Sequence, residues 1–159
     1  MNLALDDKRL KGIVRHIQMV QQEAFLLAER LSEKGEHNFA KQLLANSMLH
    51  DNSKFHGIEW MYLNDETKTK EPSNFQAALT QHQLTNPHHP QYWQNITDMP
   101  RIYIAEMVCD IKTRSDEFGT DIREWVKTTM TKQFKITVQS RSYREVKDFL
   151  ELLLDPKFS

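Results

Sequence analysis

The chain has 159 residues, 39% hydrophobic and 27% charged, with a formal net charge of -1. That length suits one domain around a single core. The near-neutral charge, with no basic run interleaved with aromatics, excludes the electrostatic footprint of a nucleic-acid binder, so no duplex partner is expected. It gives no reason to expect an anionic membrane surface either.

Single residue types exclude more. Four glycines, at 12, 35, 57 and 119, leave no G-x-G-x-x-G, Walker loop or G-x-S-x-G elbow. Cys109 is the single cysteine, so no internal disulfide forms, which fits a reducing compartment. It falls inside an expected helix with no helix N-terminus to activate it, which speaks against a thiolate nucleophile. MNLALDDKRLKG lacks the apolar stretch of a signal peptide, and no run approaches a membrane span. A cytoplasmic protein with no membrane partner is expected.

In chain order, Leu10, Ile13, Val14, Ile17, Val20, Ala24, Leu27 and Leu31 recur at three- and four-residue steps. They mark one face of a long first helix, with Gly35 as its stop. A second helix is expected over 36–49, with Phe39, Leu43, Leu44 and Met48 inward, and a short third over 58–63. NDETKTKEPSN is polar and reads as a surface loop. Pro72 starts the next helix, on which Phe75, Ala78, Leu79 and His82 share a face. Asn86-Pro87 ends it, because a residue before proline is pushed out of helical angles. HHPQYW reads as a turn or short helix.

Asp98 fits the cap of a helix carrying Tyr103, Met107, Asp110, Ile111 and Arg114, which Gly119 ends. Another helix spans 121–134, anchored by Trp125 and Val126. KITVQ is β-branched and fits strand or helix. Ser142 with Glu145 forms a capping box for a last helix packed through Val146, Phe149, Leu150 and Leu153. The expectation is an all-α single domain over 1–159 of about seven helices. Its site core lies over about 10–125 and its C-terminal helices over 121–155. The tryptophans at 60, 93 and 125 fit core or interface alike, which leaves an oligomer open.

Histidine stands out, with seven copies, at 16, 37, 50, 56, 82, 88 and 89. His37 and His56 have polar neighbours and no inward periodicity, and read as surface residues. His16 sits beside an apolar stripe, and His82 completes one. Taken alone, each is more simply a hydrogen-bonded core histidine. Asp110 faces inward, where an unpartnered carboxylate costs several kcal/mol. The simpler reading pairs it with Arg114, one turn away. His88-His89 lies in NPHHP, a loop stiffened by its prolines. His50-Asp51 could be a helix terminus interacting with its dipole.

Jointly the simpler readings weaken. Separate helical segments would each bring a His or Asp to the buried side, roughly enough ligands for one or two divalent ions. Imidazole with carboxylate suits Fe, Mn, Zn, Co or Ni better than Ca. Asp51 has two oxygens and can bridge two ions, whereas His50 binds one.

The order His16 … His50-Asp51 … Asp110 resembles the HD-domain superfamily, which is all-helical and binds metals through H…HD…D. HDNSK is similar to the HD-x-x-K form of its cyclic-dinucleotide phosphodiesterase branch, whose additional histidines would correspond to His82 and His88-His89. That branch's G-Y-P motif is absent, which argues against a cyclic-di-GMP substrate. His82 and His88 are also closer in sequence than in the better-known dinuclear members. HDNSKF…NPHHPQYW…EMVCD is more closely similar, over about 10–125, to a small uncharacterised family of bacterial and phage proteins.

The resemblance implies a metal-dependent phosphohydrolase acting on a nucleotide or other small phosphate ester. His16, His50, Asp51 and Asp110 would hold a first metal. Asp51 with His82, His88 or His89 would hold a second. Lys54, one turn past His50-Asp51, would stabilise phosphoryl charge, and Glu59 would act as a positioning or acid-base residue. The same pattern also admits an HD-type diiron oxygenase, or a non-catalytic interaction protein stabilised by its metal.

Overall fold

The computed structural model describes residues 3–155, with side chains from Lys8 onward. Residues 1–2 and 156–159, the ends of the expected 1–159 domain, lie outside the described residues. The described chain is all-helical, without a strand.

Helix α1 (Leu3–Glu33) is the spine. Val20, Ala24, Leu27, Ala28 and Leu31 are buried at the spacing that puts them on one face. Each fully buried leucine contributes about 1.5–3 kcal/mol. Gly35, at a φ of +87°, lets the chain reverse into α2 (His37–Ser47), which packs along α1. Helix α6 (Arg101–Phe118) packs on α1, and the C-terminal helix, here named α9 (Arg141–Leu154), closes on both. The shared core includes Leu43, Ile104, Val108, Val146, Phe149 and Leu150. Buried Arg30 on α1 donates to the carbonyl of Leu152, satisfying an open carbonyl at the end of α9.

Shorter elements sit beside this core: α3 (Gly57–Tyr62), α4 (Asp65–Lys70) and α5 (Pro72–Thr85). Helix α4 falls where a loop was expected. Six residues without apolar periodicity give no amphipathic signal. The helix is held instead by Asn64, whose side chain accepts from Thr67 N at 2.9 Å, and by a Glu66–Lys70 pair at 2.8 Å.

Three further expectations are corrected. Asp98 lies in a 3₁₀ turn (Ile96–Asp98), and α6 instead follows Pro100. The helix expected over 121–134 is capped by Asp121, as its spacing suggests. It runs as α7 (Ile122–Trp125), a π-helical segment (Val126–Met130) and α8 (Thr131–Gln133). The cap of α9 is Ser140, whose Oγ accepts from Tyr143 N at 3.1 Å. Ser142 is buried and donates to Ile96 O at 3.2 Å, so it ties two segments together rather than opening a capping box. Residues 135–139, KITVQ, are neither strand nor helix. No described helix is long and apolar enough to cross a membrane.

Candidate metal centre

Of the seven histidines, all but His37 and His56 converge on Asp51. Those two are exposed, as their surroundings suggest. His16 projects from the middle of α1 toward α6, which carries Asp110. Helix α2 ends at Ser47, and a turn brings His50 inward.

The backbone then reverses at Asp51, which is left-handed at a φ of +56°. Asp and Asn are the side chains that tolerate this conformation best after glycine. A continued helical turn was expected here. Instead the kink is followed by a 3₁₀ turn (Asn52–Phe55), which still returns Lys54 to the Asp51 carboxylate through an i,i+3 ion pair. His82 comes from the last turn of α5. Asn86-Pro87 stops that helix and swings His88 and His89 back toward it. Buried Asn86 braces the reversal, donating to His82 O at 2.8 Å and Ser53 Oγ at 2.9 Å.

The Asp51 oxygens divide the cluster into two halves. Oδ2 lies 3.8 Å from His16 Nε2 and 3.6 Å from His50 Nε2. Asp110 Oδ1 completes this half, 3.1 Å from His16 Nε2 and 4.0 Å from His50 Nε2. Oδ1 lies 3.3 Å from His82 Nε2 and 3.4 Å from His88 Nε2. His89 Nε2 joins this second half, 2.9 Å from His82 Nε2.

These separations can be compared with coordination geometry. With ligand bonds of about 2.0–2.2 Å, donors at right angles lie about 3 Å apart, tetrahedral neighbours about 3.4 Å and opposed donors about 4.2 Å. The observed edges cover the same range. Both halves can therefore hold a metal ion by donor type and spacing.

Proton placement points the same way. A carboxylate only accepts hydrogen bonds, so an imidazole nitrogen facing one carries its proton there. His50 Nδ1 donates to Glu106 Oε1 at 2.9 Å, and His88 Nδ1 approaches the same oxygen at 3.3 Å. His82 Nδ1 donates to Glu59 Oε2 at 2.7 Å, and His16 Nδ1 faces Glu117 at 3.4 Å. In a neutral ring the Nε2 lone pair then points inward, at carboxylate oxygens that also carry lone pairs. His16, His50 and His88 Nε2, with Asp51 Oδ1 and Asp110 Oδ1, are buried and make no hydrogen bond. Facing acceptors are stable only with a cation between them or a proton added. Carboxylates that orient the outer nitrogen of a ligating histidine are the usual outer layer of metal sites.

The charges follow this arrangement. Burial opposes ionising Asp51, but Lys54 and the His50, His88 and His82 imidazoles outweigh it and hold the carboxyl well below its ordinary range. Asp110 is likewise lowered against its burial, by His16 and His50. Glu106 is lowered against burial by His50 and His88. Burial would lower His88, but contacts with Asp51 and Glu106 raise it to about 10. His89 is pushed down to about 3 by burial and by the neighbouring His88 and His82. Without a cation, these contacts favour a protonated His88 and a neutral His89.

Every residue expected at the site is in the cluster, and His82, His88 and His89 all reach the second half. Glu59 sits behind His82, on the side away from the inward lone pairs, where it also accepts from Ser53 Oγ at 2.8 Å. From there it orients the His82 ring. The proposed Asp110–Arg114 pair does not form; Arg114 instead donates to Glu117 at 3.0 Å. Sequence reasoning missed Glu106 and Glu117 as supports. Their signal was present: they lie four residues before and seven after Asp110, on the same side of α6.

A described family of unknown function, DUF5662, matches residues 6–155, and the chain belongs to it. No curated protein and no solved structure matches the chain.

Proposed function

We propose that this chain is a dinuclear metal-dependent phosphohydrolase acting on a nucleotide or another small phosphate ester. The observation that carries the proposal is the division of Asp51, whose two oxygens face two separate sets of inward nitrogen donors. His16, His50, Asp51 Oδ2 and Asp110 would hold one ion. Asp51 Oδ1, His82, His88 and His89 would hold the other. The donor set suits Mn, Fe, Co, Ni or Zn. The order of these ligands along the chain supports placing it with HD-domain proteins.

Bound divalent ions supply Lewis acidity and lower the pKa of water. The remaining work falls to the chain. Asp51 and Asp110 are the only coordinating anions in the two sets, and Glu59, Glu106 and Glu117 lie behind the rings, so two divalent ions with Lys54 would leave a local excess of positive charge at the ions themselves. That excess favours an anionic substrate over a neutral one. The cluster comes nearest to solvent along one edge, where the side chains of Asp110 and Lys54 are 15% and 13% exposed and His89 is partly exposed. A catalytic site keeps such an approach, whereas a purely structural one is closed. Lys54 stands at this edge to hold phosphoryl oxygens once a substrate draws it from Asp51. Glu59, Glu106 and Glu117 keep the rings oriented.

The test is elemental analysis of the purified protein, then a phosphate-release screen over nucleotides and small phosphate esters with Mn, Co and Fe. Two ions per chain and chelator-sensitive phosphate release support the proposal. Iron with dioxygen uptake and no phosphate release would move the site to the oxygenase reading. Bound metal with neither activity would make it structural.

A further inference from the structure

Glu106 differs from the other carboxylates around the cluster. Glu117 stands behind His16 alone, and Glu59 stands behind His82 alone. Glu106 stands behind two rings, one from each half. Its Oε1 faces His50 Nδ1 at 2.9 Å and His88 Nδ1 at 3.3 Å. Its Oε2 accepts from the Asn46 amide, which reaches across from α2. The carboxylate is 4% exposed and cannot exchange these partners freely for water.

The two rings pack against each other, with centroids 4.3 Å apart and planes tilted by 40°. Their other nitrogens meet the two oxygens of Asp51. The result is a closed circuit: Asp51 Oδ2, His50, Glu106 Oε1, His88 and Asp51 Oδ1. Both ions would be held on the Asp51 side of it, and Glu106 closes it from the protein side.

We propose that Glu106 is a positioning residue that couples the two ion positions, so that they fill as a pair. The inference rests on the dinuclear reading above. An ion taking the His50 Nε2 lone pair makes Nδ1–H a stronger donor to Glu106. That fixes the carboxylate, and the same ion fixes Asp51. His88 is held by these two groups, so its ring is already oriented when the second ion arrives. A site ordered beforehand loses less conformational freedom on binding, which gives positive coupling. Glu59 and Glu117 have no such reach, because each contacts a histidine of one half.

The experiment compares chelator-stripped wild type with Glu106→Gln, Glu59→Gln, Glu117→Gln and Asn46→Ala. Each is titrated with Co²⁺ by calorimetry and visible absorption, and the ions retained after dialysis are counted. Wild type takes two ions in one cooperative transition. Glu106→Gln weakens both positions by about 10–100-fold, the usual effect of losing an outer carboxylate. Glu59→Gln and Glu117→Gln each weaken one position and retain one ion. Asn46→Ala weakens both positions less than Glu106→Gln, and carries the same test if Glu106→Gln does not fold by far-UV circular dichroism.

Loss of one ion only in Glu106→Gln, unchanged affinity, or two well-separated steps in wild type would overturn the coupling and leave the metal centre standing. Wild type that takes up fewer than two ions would overturn the dinuclear reading and the coupling with it.

Discussion

Replacing Asp51 by Asn tests the centre with the least collateral change. The backbone there is left-handed, at a φ of +56°. Asn tolerates that conformation about as well as Asp, whereas Ala would add about 1–2 kcal/mol of strain unrelated to metal. Asp51→Asn therefore removes the negative charge shared by both halves, and with it the Lys54 ion pair, without adding backbone strain. An ion present at about 100 times its dissociation constant stabilises the folded state by about 2.7 kcal/mol. Two positions together give about 5 kcal/mol. At this chain length 1 kcal/mol moves the melting temperature by about 2–4 °C. Saturating Mn²⁺ or Zn²⁺ should thus raise the wild-type melting temperature by about 10–20 °C over the chelator-treated protein, read by scanning calorimetry. In Asp51→Asn both positions lose their shared anion, and the rise should fall below a third of that. A variant that kept the full rise would refute the bridging role of Asp51.

Lys54→Ala should retain both ions yet lose phosphate-ester turnover by about 10²–10³-fold, the scale of removing one group that stabilises developing charge; unchanged turnover would remove Lys54 from the mechanism. Metal affinity at the His82, His88 and His89 half should rise with pH. His88 is raised to about 10, so below that pH an arriving ion must displace its proton, and affinity falls about tenfold per pH unit for one proton. Calorimetry in buffers of different ionisation enthalpy near neutral pH should count about one proton released. Ser140→Ala should cost about 1 kcal/mol in urea unfolding, as loss of an N-cap does, and a neutral result would contradict its assignment as the cap of α9.

The long helices were legible because burial is periodic. The α1 stripe from Val20 to Leu31, the Pro72 start, the Asn86-Pro87 stop and the Gly119 end of α6 all follow from local chemistry, whereas Leu10, Val14 and Met48, expected inward, are exposed. Helix α4 was not legible, since a short polar helix held by one cap and one ion pair leaves no hydrophobic period. The misplaced cap of α9 has a similar cause. Ser140 and Ser142 both precede the same apolar run, and only the tertiary hydrogen bond from Ser142 to Ile96 O separates their roles. At the centre, residue types identified the inward donors, but not how Asp51 shares them between two halves. That division depends on a left-handed residue between α2 and α3, which a helical reading of HDNSK does not anticipate. Of the carboxylates behind the rings, Glu59 was expected, whereas Glu106 and Glu117 were passed over because Glu on a helix most often faces solvent, although their spacing to Asp110 puts them on its side of α6.

The segments that meet at the centre are far apart along the chain: α1, the turn after α2, the end of α5 with the NPHHP loop, and α6. An ion held there would tie together stretches separated by tens of residues, closing long loops as a disulfide does. The loss of unfolded-chain entropy from one such closure is worth about 3–4 kcal/mol in the chain-entropy description. A protein whose one cysteine is buried in its core has no covalent cross-link of its own to draw on. Its cross-links would be set by metal supply, so that starvation for the ion would loosen the tertiary architecture as well as silence the chemistry.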